Sequence, residues 1–153
     1  GVPAAAQVLQ SKPSRQMLRL MGEEALAEVV DFELSRPGYG RLLWPGKTDL
    51  RNLVDCLDSL VQIETQKAAV YPPGFERPSK GEGLNKRCEY SMEGVWPKDK
   101  KTSERLRDAR SLQRFKGQLQ RAADRLCARM LEYDDKAGVW RIEVNDWSHF
   151  ETG

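Results

Sequence analysis

The sequence predicts an α+β domain in which a mainly antiparallel sheet is flanked by helices. Two observations lead to this fold class. Short segments in which apolar and polar residues alternate recur along the chain, and a long stretch with helical spacing precedes the last of them. The final segment must therefore return past the helix to pair with earlier strands, which holds the end of the chain within the fold.

The composition is that of a soluble globular chain. Of 153 residues, 39% are hydrophobic and 31% are charged, which suits one domain with a sizeable core. The formal net charge is only +2, so no overall field marks a nucleic-acid or membrane binder. Because no apolar run approaches the roughly 20 residues that span a bilayer, we expect no membrane partner.

The three cysteines, Cys56, Cys88 and Cys127, are far apart and form no C-x-x-C pair. This spacing argues against a zinc site and against a disulfide framework. We predict three free, buried thiols in a reducing compartment, cytoplasm or nucleus. We also expect no metal and no cofactor.

The domain is predicted to span residues 14–153, preceded by a flexible segment, residues 1–13. Ser14 is the expected N-cap of a first helix, and Gly22 interrupts or ends that helix. Alternation predicts the strands, and residues 50–60 form either a short helix or a compact loop. The predicted strands are residues 30–34, 39–44, 61–63, 68–71, 88–92 and 140–144.

Residues 98–129 form a basic region with a helical apolar stripe. Gly117 within the stripe marks either close packing or a break between two helices. The excess of Lys and Arg makes RNA binding by the basic helix one hypothesis. However, no aromatic residues interleave with the basic ones in a stacking pattern, and a solvated helix face is the simpler interpretation.

Tryptophan side chains dominate burial energetics, so their placement matters for the core. Trp96 and Trp140 lie at predicted strand ends, and we expect both in the core. Trp44 and Trp147 are the better candidates for exposure.

A set of motifs recurs in a specific order along the chain. It comprises Val30-Asp31-Phe32 leading into Gly38-Tyr39-Gly40, the loop Gly81-Glu82-Gly83-Leu84-Asn85-Lys86, Gly94-Val95-Trp96-Pro97, Gly138-Val139-Trp140 and Ser148-His149-Phe150. Each motif alone is weak, and the glycine-rich loop lacks the strand and helix setting of a phosphate-binding loop. In this order and spacing, residues 16–150 resemble the autoproteolytic domain of the nucleoporin ninety-eight and one-forty-five family.

Members of that family cut their own chain after a His-Phe pair. The Ser or Thr that follows attacks the preceding carbonyl in an N-to-O acyl shift, the histidine moves protons, and water hydrolyses the ester. In this chain His149-Phe150 is followed by Glu151, Thr152 lies one residue too late, and Ser148 lies before the histidine.

A second departure from the family pattern is Asn145-Asp146-Trp147, which looks like an insertion before the His-Phe pair. We therefore predict a chain that is not an enzyme. It carries no active catalytic residue, and His149, Phe150 and Glu151 form a relic cleavage site.

The resemblance implies a non-catalytic docking module of a nuclear pore complex protein, which anchors a nucleoporin to scaffold partners and so supports nucleocytoplasmic transport of mRNA and protein. The implied partners are a β-propeller nucleoporin and the N-terminal peptide of a scaffold nucleoporin, and the implied location is the nuclear pore. The alternative is a self-cleaving peptidase domain disabled by Glu151. RNA binding is a further alternative.

Overall fold

The computed structural model describes residues 7–150. Its strands are β1 (Gln10–Lys12), β2 (Val29–Arg36), β3 (Gly40–Thr48), β4 (Val61–Glu64), β5 (Lys67–Val70), β6 (Cys88–Met92), β7 (Arg129–Asp134) and β8 (Val139–Val144). Its helices are α1 (Arg15–Leu20), α2 (Glu23–Leu26), α3 (Leu57–Leu60) and α4 (Ala109–Arg125). Short 3-10 turns form at Val54–Cys56 and Trp147–Phe150.

Six strands form one sheet in the order β1-β2-β3-β6-β8-β7, and β4 and β5 form a separate hairpin. Every strand pair is antiparallel, which confirms the predicted α+β class. The last strand, β8, lies between β6 and β7. The predicted return of the chain end therefore occurs in the interior of the sheet.

A bulge in β2 changes the burial pattern that simple alternation predicts. The pairing with β3 shifts between Val30 and Phe32, and Asp31 between them has φ +50°. The Asp31 carboxylate accepts the Gly46 N–H at 2.8 Å, which holds this conformation. As a result Val29 and Phe32 are both buried, whereas Val30 is 60% exposed.

Trp44 is fully buried, so its predicted exposure is wrong. Its ring stacks on Phe32 with centroids 5.7 Å apart. The indole N–H donates to the Leu84 carbonyl at 3.0 Å, and the Leu84 N–H donates to the Tyr71 hydroxyl at 3.1 Å. The glycine-rich loop thus supplies the acceptor that lets a tryptophan enter the core.

The region predicted to be a helix from residue 98 to 129 is helical only in α4. Asp108 is its N-cap and accepts the Ser111 N–H at 2.9 Å, while Gly117 lies within the helix without breaking it. Before the cap, residues 97–106 form a hairpin, because the Asp99 carboxylate accepts the N–H groups of Lys101 and Thr102 and stabilises a turn.

Ser14 caps α1 as predicted, accepting the Met17 N–H at 3.1 Å, and Gly22 separates α1 from α2. All three thiols are free, but the prediction that all are buried is wrong. Cys88 is buried on β6, Cys56 is partly exposed on a 3-10 turn, and Cys127 is exposed where the chain leaves α4 at φ +55°.

Residues 7–13 belong to the folded domain, which corrects the predicted boundary at residue 14. Strand β1 pairs with β2, and Leu9 is 2% exposed. The Asp58 carboxylate accepts the Leu9 N–H at 2.9 Å and two guanidinium N–H groups of Arg15 at 2.7 and 3.1 Å. Residues 1–6 of the predicted flexible segment lie outside the described range.

The Gln7 side chain also ties this segment to the edge of β4. Its amide nitrogen donates to the Val61 carbonyl at 3.0 Å, and its amide oxygen accepts the Ile63 N–H at 2.9 Å. The sequence contained no periodic signal for either attachment, because a single side chain makes each one.

The Asp58 carboxylate, with its bonds from the Leu9 N–H and the Arg15 guanidinium, forms a charged clamp on the N-terminal segment. Asp58→Asn tests the importance of this clamp. We expect the free energy of unfolding at pH 7 to fall by about 1–2 kcal/mol, because the amide loses charge-assisted bonds at a partly exposed site. Burial raises the pKa of Asp58, but the bonds from Arg15 and the Leu9 N–H outweigh it, so the net pKa lies below the usual 3.8.

A folded-state pKa that is lowered contributes stability above the unfolded value and loses it as the pH falls through the folded value. In urea unfolding, the free energy of unfolding of the wild-type protein should therefore decrease below about pH 4. The decrease should be smaller in Asp58→Asn. Asp55→Asn is the matched control, since its ion pair with Arg19 is 3.4 Å long and largely exposed. Equal effects from both variants would contradict the clamp.

Candidate functional site

The predicted relic site lies on the 3-10 turn that follows β8. Val144 at the end of β8 is buried, and two residues later the Asp146 carboxylate accepts the Ser148 N–H at 2.9 Å. Aspartate commonly caps a turn by bonding the backbone two residues on. Asp146 therefore starts the turn that presents His149 and Phe150.

Trp147 anchors this turn in the core, which makes its predicted exposure wrong. It is 1% exposed, with ring centroids 6.0 Å from Tyr90 on β6 and 4.7 Å from Phe150. Within Asn145-Asp146-Trp147, Asn145 is exposed, whereas Trp147 is an integral part of the packing. It fixes the position of the residues that precede Glu151.

Two buried polar atoms beside the turn have no hydrogen-bond partner among the described residues. They are the indole nitrogen of Trp147 and the hydroxyl of Tyr90. Burial raises the pKa of the Tyr90 hydroxyl far above its usual value. The phenol therefore stays protonated at neutral pH and cannot act there as a base.

His149 lies at the surface, with 42% of its side chain exposed. Its Nε2 atom is 3.7 Å from a carboxylate oxygen of Asp146. Hydrogen bonds from the Ser148 backbone N–H and side chain, assisted by the positive charges of His149 and Arg77, lower the pKa of Asp146. A charged carboxylate thus faces the imidazole and can orient it.

Chemically, the turn offers an imidazole and a carboxylate that can position it. The structure brings His149 and Phe150 together as the sequence predicts, and Phe150 packs on Trp147. Glu151 lies outside the described residues. Sequence reasoning missed the role of Asp146, although the Asp-x-Ser spacing is a recognisable turn signal.

Within residues 7–150, no cluster of three or more His, Cys, Asp or Glu side chains could hold a metal ion. None of the helices described is long and apolar enough to cross a membrane.

Trp96 differs from the prediction, and it points to a second surface. It is only half-buried rather than in the core, with the Arg105 guanidinium 3.4 Å from its ring centroid. Trp140 is 5% exposed and lies in the core as predicted. A groove beside Trp96, between the 97–106 hairpin and α4, is the other candidate site, and periodicity alone did not indicate it.

Comparison with known proteins agrees with this geometry. Residues 8–152 match the Nucleoporin2 family, described as Nup98-96 autopeptidase S59. The chain is 33% identical over 125 residues to nuclear pore complex protein NUP98A of Arabidopsis thaliana, covering 82% of this chain and 12% of that protein. It is 30% identical over 144 residues to Nup98-Nup96 of Drosophila melanogaster, covering 92% and 7%.

Solved structures show the same fold. A mutant Nup145N APD of Chaetomium thermophilum fused to Nup145C N superposes with a TM-score of 0.82 at 28% identity, covering 95% of this chain and 99% of that one. A chain of the yeast Nup82-Nup159-Nup116 complex gives a TM-score of 0.80 at 22% identity, covering 92% and 97%.

The sheet and the His-Phe turn define a domain of the nucleoporin autoproteolytic class. The chain belongs to the Nup98-96 autopeptidase family of nuclear pore proteins, which confirms the resemblance found in the sequence. The predicted location at the nuclear pore agrees with the names of these relatives. The chain spans about a tenth of the length of the curated relatives that it matches.

Trp147→Ala tests whether the turn depends on its anchor. We expect a loss of about 3–5 kcal/mol in the free energy of unfolding, the usual cost of truncating a buried aromatic side chain. Urea titration followed by circular dichroism measures this without relying on tryptophan fluorescence. His149→Ala on the same turn is the control and should change stability by less than about 0.5 kcal/mol. Similar losses in both variants would contradict the assignment of Trp147 as the anchor.

Proposed function

We propose that this domain is a non-catalytic docking module, which anchors a nucleoporin to other components of the nuclear pore complex and does not cut its own chain. The single observation that carries the proposal is Glu151, the residue that follows the His149-Phe150 pair. Self-cleavage requires a nucleophile at this position, and the docking role does not.

The chemistry of the acyl shift explains why glutamate fails. An oxygen or sulfur on the β-carbon reaches the preceding carbonyl through a five-membered ring, and the amide then becomes an ester or thioester. The carboxylate of Glu151 stands farther along the side chain, is a weaker nucleophile, and closes only a larger ring. Thr152 has the required hydroxyl but follows a different peptide bond.

The geometry before the bond supports the same proposal. Residues 147–150 are held in a 3-10 turn by the Asp146 cap and by the packing of Trp147 on Tyr90 and Phe150. The His149 side chain is directed to Asp146 at the surface. These contacts give the turn a stable packed form that makes no use of a nucleophile.

The names of related structures suggest the kind of partner. Nup116 is found in a heterotrimeric complex with Nup82 and Nup159, and the Nup145N domain was solved fused to Nup145C N. Together with the family resemblance of the sequence, these names support the proposed partners, a β-propeller nucleoporin and the N-terminal peptide of a scaffold nucleoporin. Docking there would support nucleocytoplasmic transport.

A second candidate function is a self-cleaving domain that Glu151 alone disables. The retained His149-Phe150 pair favours it, together with the close superposition on the Nup145N domain. The two candidates differ in whether the rest of the machinery still works once a nucleophile is supplied.

Glu151→Ser in a chain with a folded C-terminal tag separates them. We expect little or no cleavage after Phe150, because Asn145-Asp146-Trp147 departs from the family pattern just before the His-Phe pair. If this tripeptide misplaces the attacking oxygen by about 1 Å, the rate falls on the order of a hundredfold. Intact-mass spectrometry of the purified chain detects the released tag.

Two controls make the result decisive. The unchanged chain must stay whole, and cutting between Phe150 and Glu151 in it would overturn the proposal. If Glu151→Ser is cut, the double variant with His149→Ala shows whether cutting uses the histidine. Cleavage that needs both serine and His149 would establish the second candidate.

Docking itself is tested in cells of the source organism. A fluorescent fusion of this domain should concentrate at the nuclear rim, and the Glu151→Ser fusion should do so equally, because docking needs no nucleophile. Trp147→Ala serves as the destabilised control and should give a weaker signal at the rim. A diffuse signal from the folded wild-type domain would remove the docking proposal.

A further inference from the structure

The groove between the 97–106 hairpin and α4 has a cavity volume of about 630 Å³, within the range of ligand pockets. The helix lines it with Ser111, Arg114, Phe115 and Gln118, which share one face because they are spaced three and four residues apart. Four lining side chains are apolar: Trp96, Pro97, Leu106 and Phe115. Four are basic: Lys98, Lys100, Lys101 and Arg114.

The charge around this groove is unlike that of the rest of the chain. Ten basic and four acidic residues lie between Lys98 and Arg125, whereas the remaining sequence has fifteen basic and nineteen acidic residues. A net charge of +2 therefore conceals a strongly basic segment, which forms the 97–106 hairpin and α4. A negative ligand is attracted to this segment even though the whole protein is nearly neutral.

Among the described residues, the basic side chains of this segment form no ion pair, apart from a weak electrostatic interaction of Arg114 with Asp108. Among residues 7–150, the described ion pairs of Lys and Arg lie elsewhere, such as Arg15 with Asp58 and Arg141 with Glu89. None of the ten basic residues between Lys98 and Arg125 forms one. Three local acids are engaged in other ways: Asp99 bonds backbone N–H groups, Asp108 caps α4, and Asp124 accepts from Gln120.

The aromatic rings of the groove are not available for stacking nucleic-acid bases. The Arg105 guanidinium covers Trp96 at 3.4 Å, and the backbone of Gly138 lies so close that a Cβ there would be 2.2 Å from a ring atom. Phe115 packs edge-on to Tyr133 with centroids 5.6 Å apart. Single-stranded nucleic acid is held by free aromatic faces, so these contacts favour a peptide ligand.

We infer that this groove binds a short acidic peptide segment of a partner protein, with one apolar side chain packed on Leu106, Phe115 and the edge of the Trp96 ring. The carboxylates of the peptide pair with Lys100, Lys101 and Arg114, and the Gln118 amide is placed to hydrogen-bond its backbone. The inference rests on the proposed docking function and specifies the partner chemistry at one surface.

Two fluorescein-labelled peptides of aspartate and glutamate test it, one with a central leucine and one without. We expect the leucine peptide to bind at least about tenfold more tightly by fluorescence anisotropy, because burying one leucine is worth about that factor. Both affinities should fall as salt is raised, since the pairs are partly exposed. Failure of the leucine peptide to bind, or equal affinities, would overturn the inference.

A matched pair of triple variants locates the site. Lys100→Glu, Lys101→Glu and Arg114→Glu together should weaken the leucine peptide by about tenfold or more. Arg110→Glu, Arg121→Glu and Arg125→Glu change the charge equally outside the groove and should weaken it by less than about threefold. Equal losses of affinity in the two triple variants would show general attraction to the basic segment and would overturn binding in the groove. Circular dichroism confirms that both variants fold.

Labelled oligouridine provides the competing outcome. Tighter binding of oligouridine than of the leucine peptide would make the groove part of a nucleic-acid surface and reject the peptide. The docking proposal fails separately, through a diffuse wild-type fusion in cells. Peptide binding in the groove can be measured regardless of that result, so the two failures are distinguishable.

Discussion

The structure depends on the position of β8, which lies inside the main sheet and is hydrogen-bonded on both sides. In β8, Val144 lies opposite Cys88 of β6, and Ile142 lies opposite Met130 of β7. Without β8, strand β7 and the helix α4 that packs on it lose their strand pairing with the part of the sheet formed by β1, β2, β3 and β6. The residues after β8 follow directly from this strand, so the His149 turn is positioned by a strand that is paired on both sides.

This arrangement separates the cleavage chemistry from the stability of the fold. The described packing of the turn comes from Trp147, Tyr90 and Phe150, and the capping comes from Asp146. None of these contacts requires a hydroxyl on the residue that follows Phe150. The described packing of the turn is therefore compatible with residues other than serine or threonine after Phe150.

Local patterns in the sequence revealed the parts of the fold that local physics controls. The alternation in β6 and β8, the Ser14 cap and the apolar face of α4 all follow from residues close together in the chain. The errors arose where a distant partner decided the outcome. The acceptor for Trp44 is the carbonyl of Leu84, forty residues away, and the ring that receives Trp147 belongs to Tyr90 on another strand.

The candidate site was predictable in part for the same reason. The His-Phe pair and Glu151 are adjacent in sequence, so a relic site could be predicted without the structure. The role of Asp146 requires knowledge of the turn, and the groove requires knowledge of how the 97–106 hairpin packs beside α4. The apolar stripe with helical spacing predicted a helix from residue 98 onward and gave no sign of the hairpin. The Asp99 turn and the Asp108 cap each depend on one side chain, which periodicity does not detect.

The side chains on the outer edge of β4 have a consequence for how the protein behaves in a crowded solution. Gln7 occupies the Val61 carbonyl and the Ile63 N–H, and Arg36 donates to the Ile63 carbonyl at 2.9 Å. These backbone groups would otherwise template the addition of a strand from another molecule. Removing the residues around Gln7 would expose the edge of β4 and promote aggregation through intermolecular strand pairing, even if the main sheet remained intact.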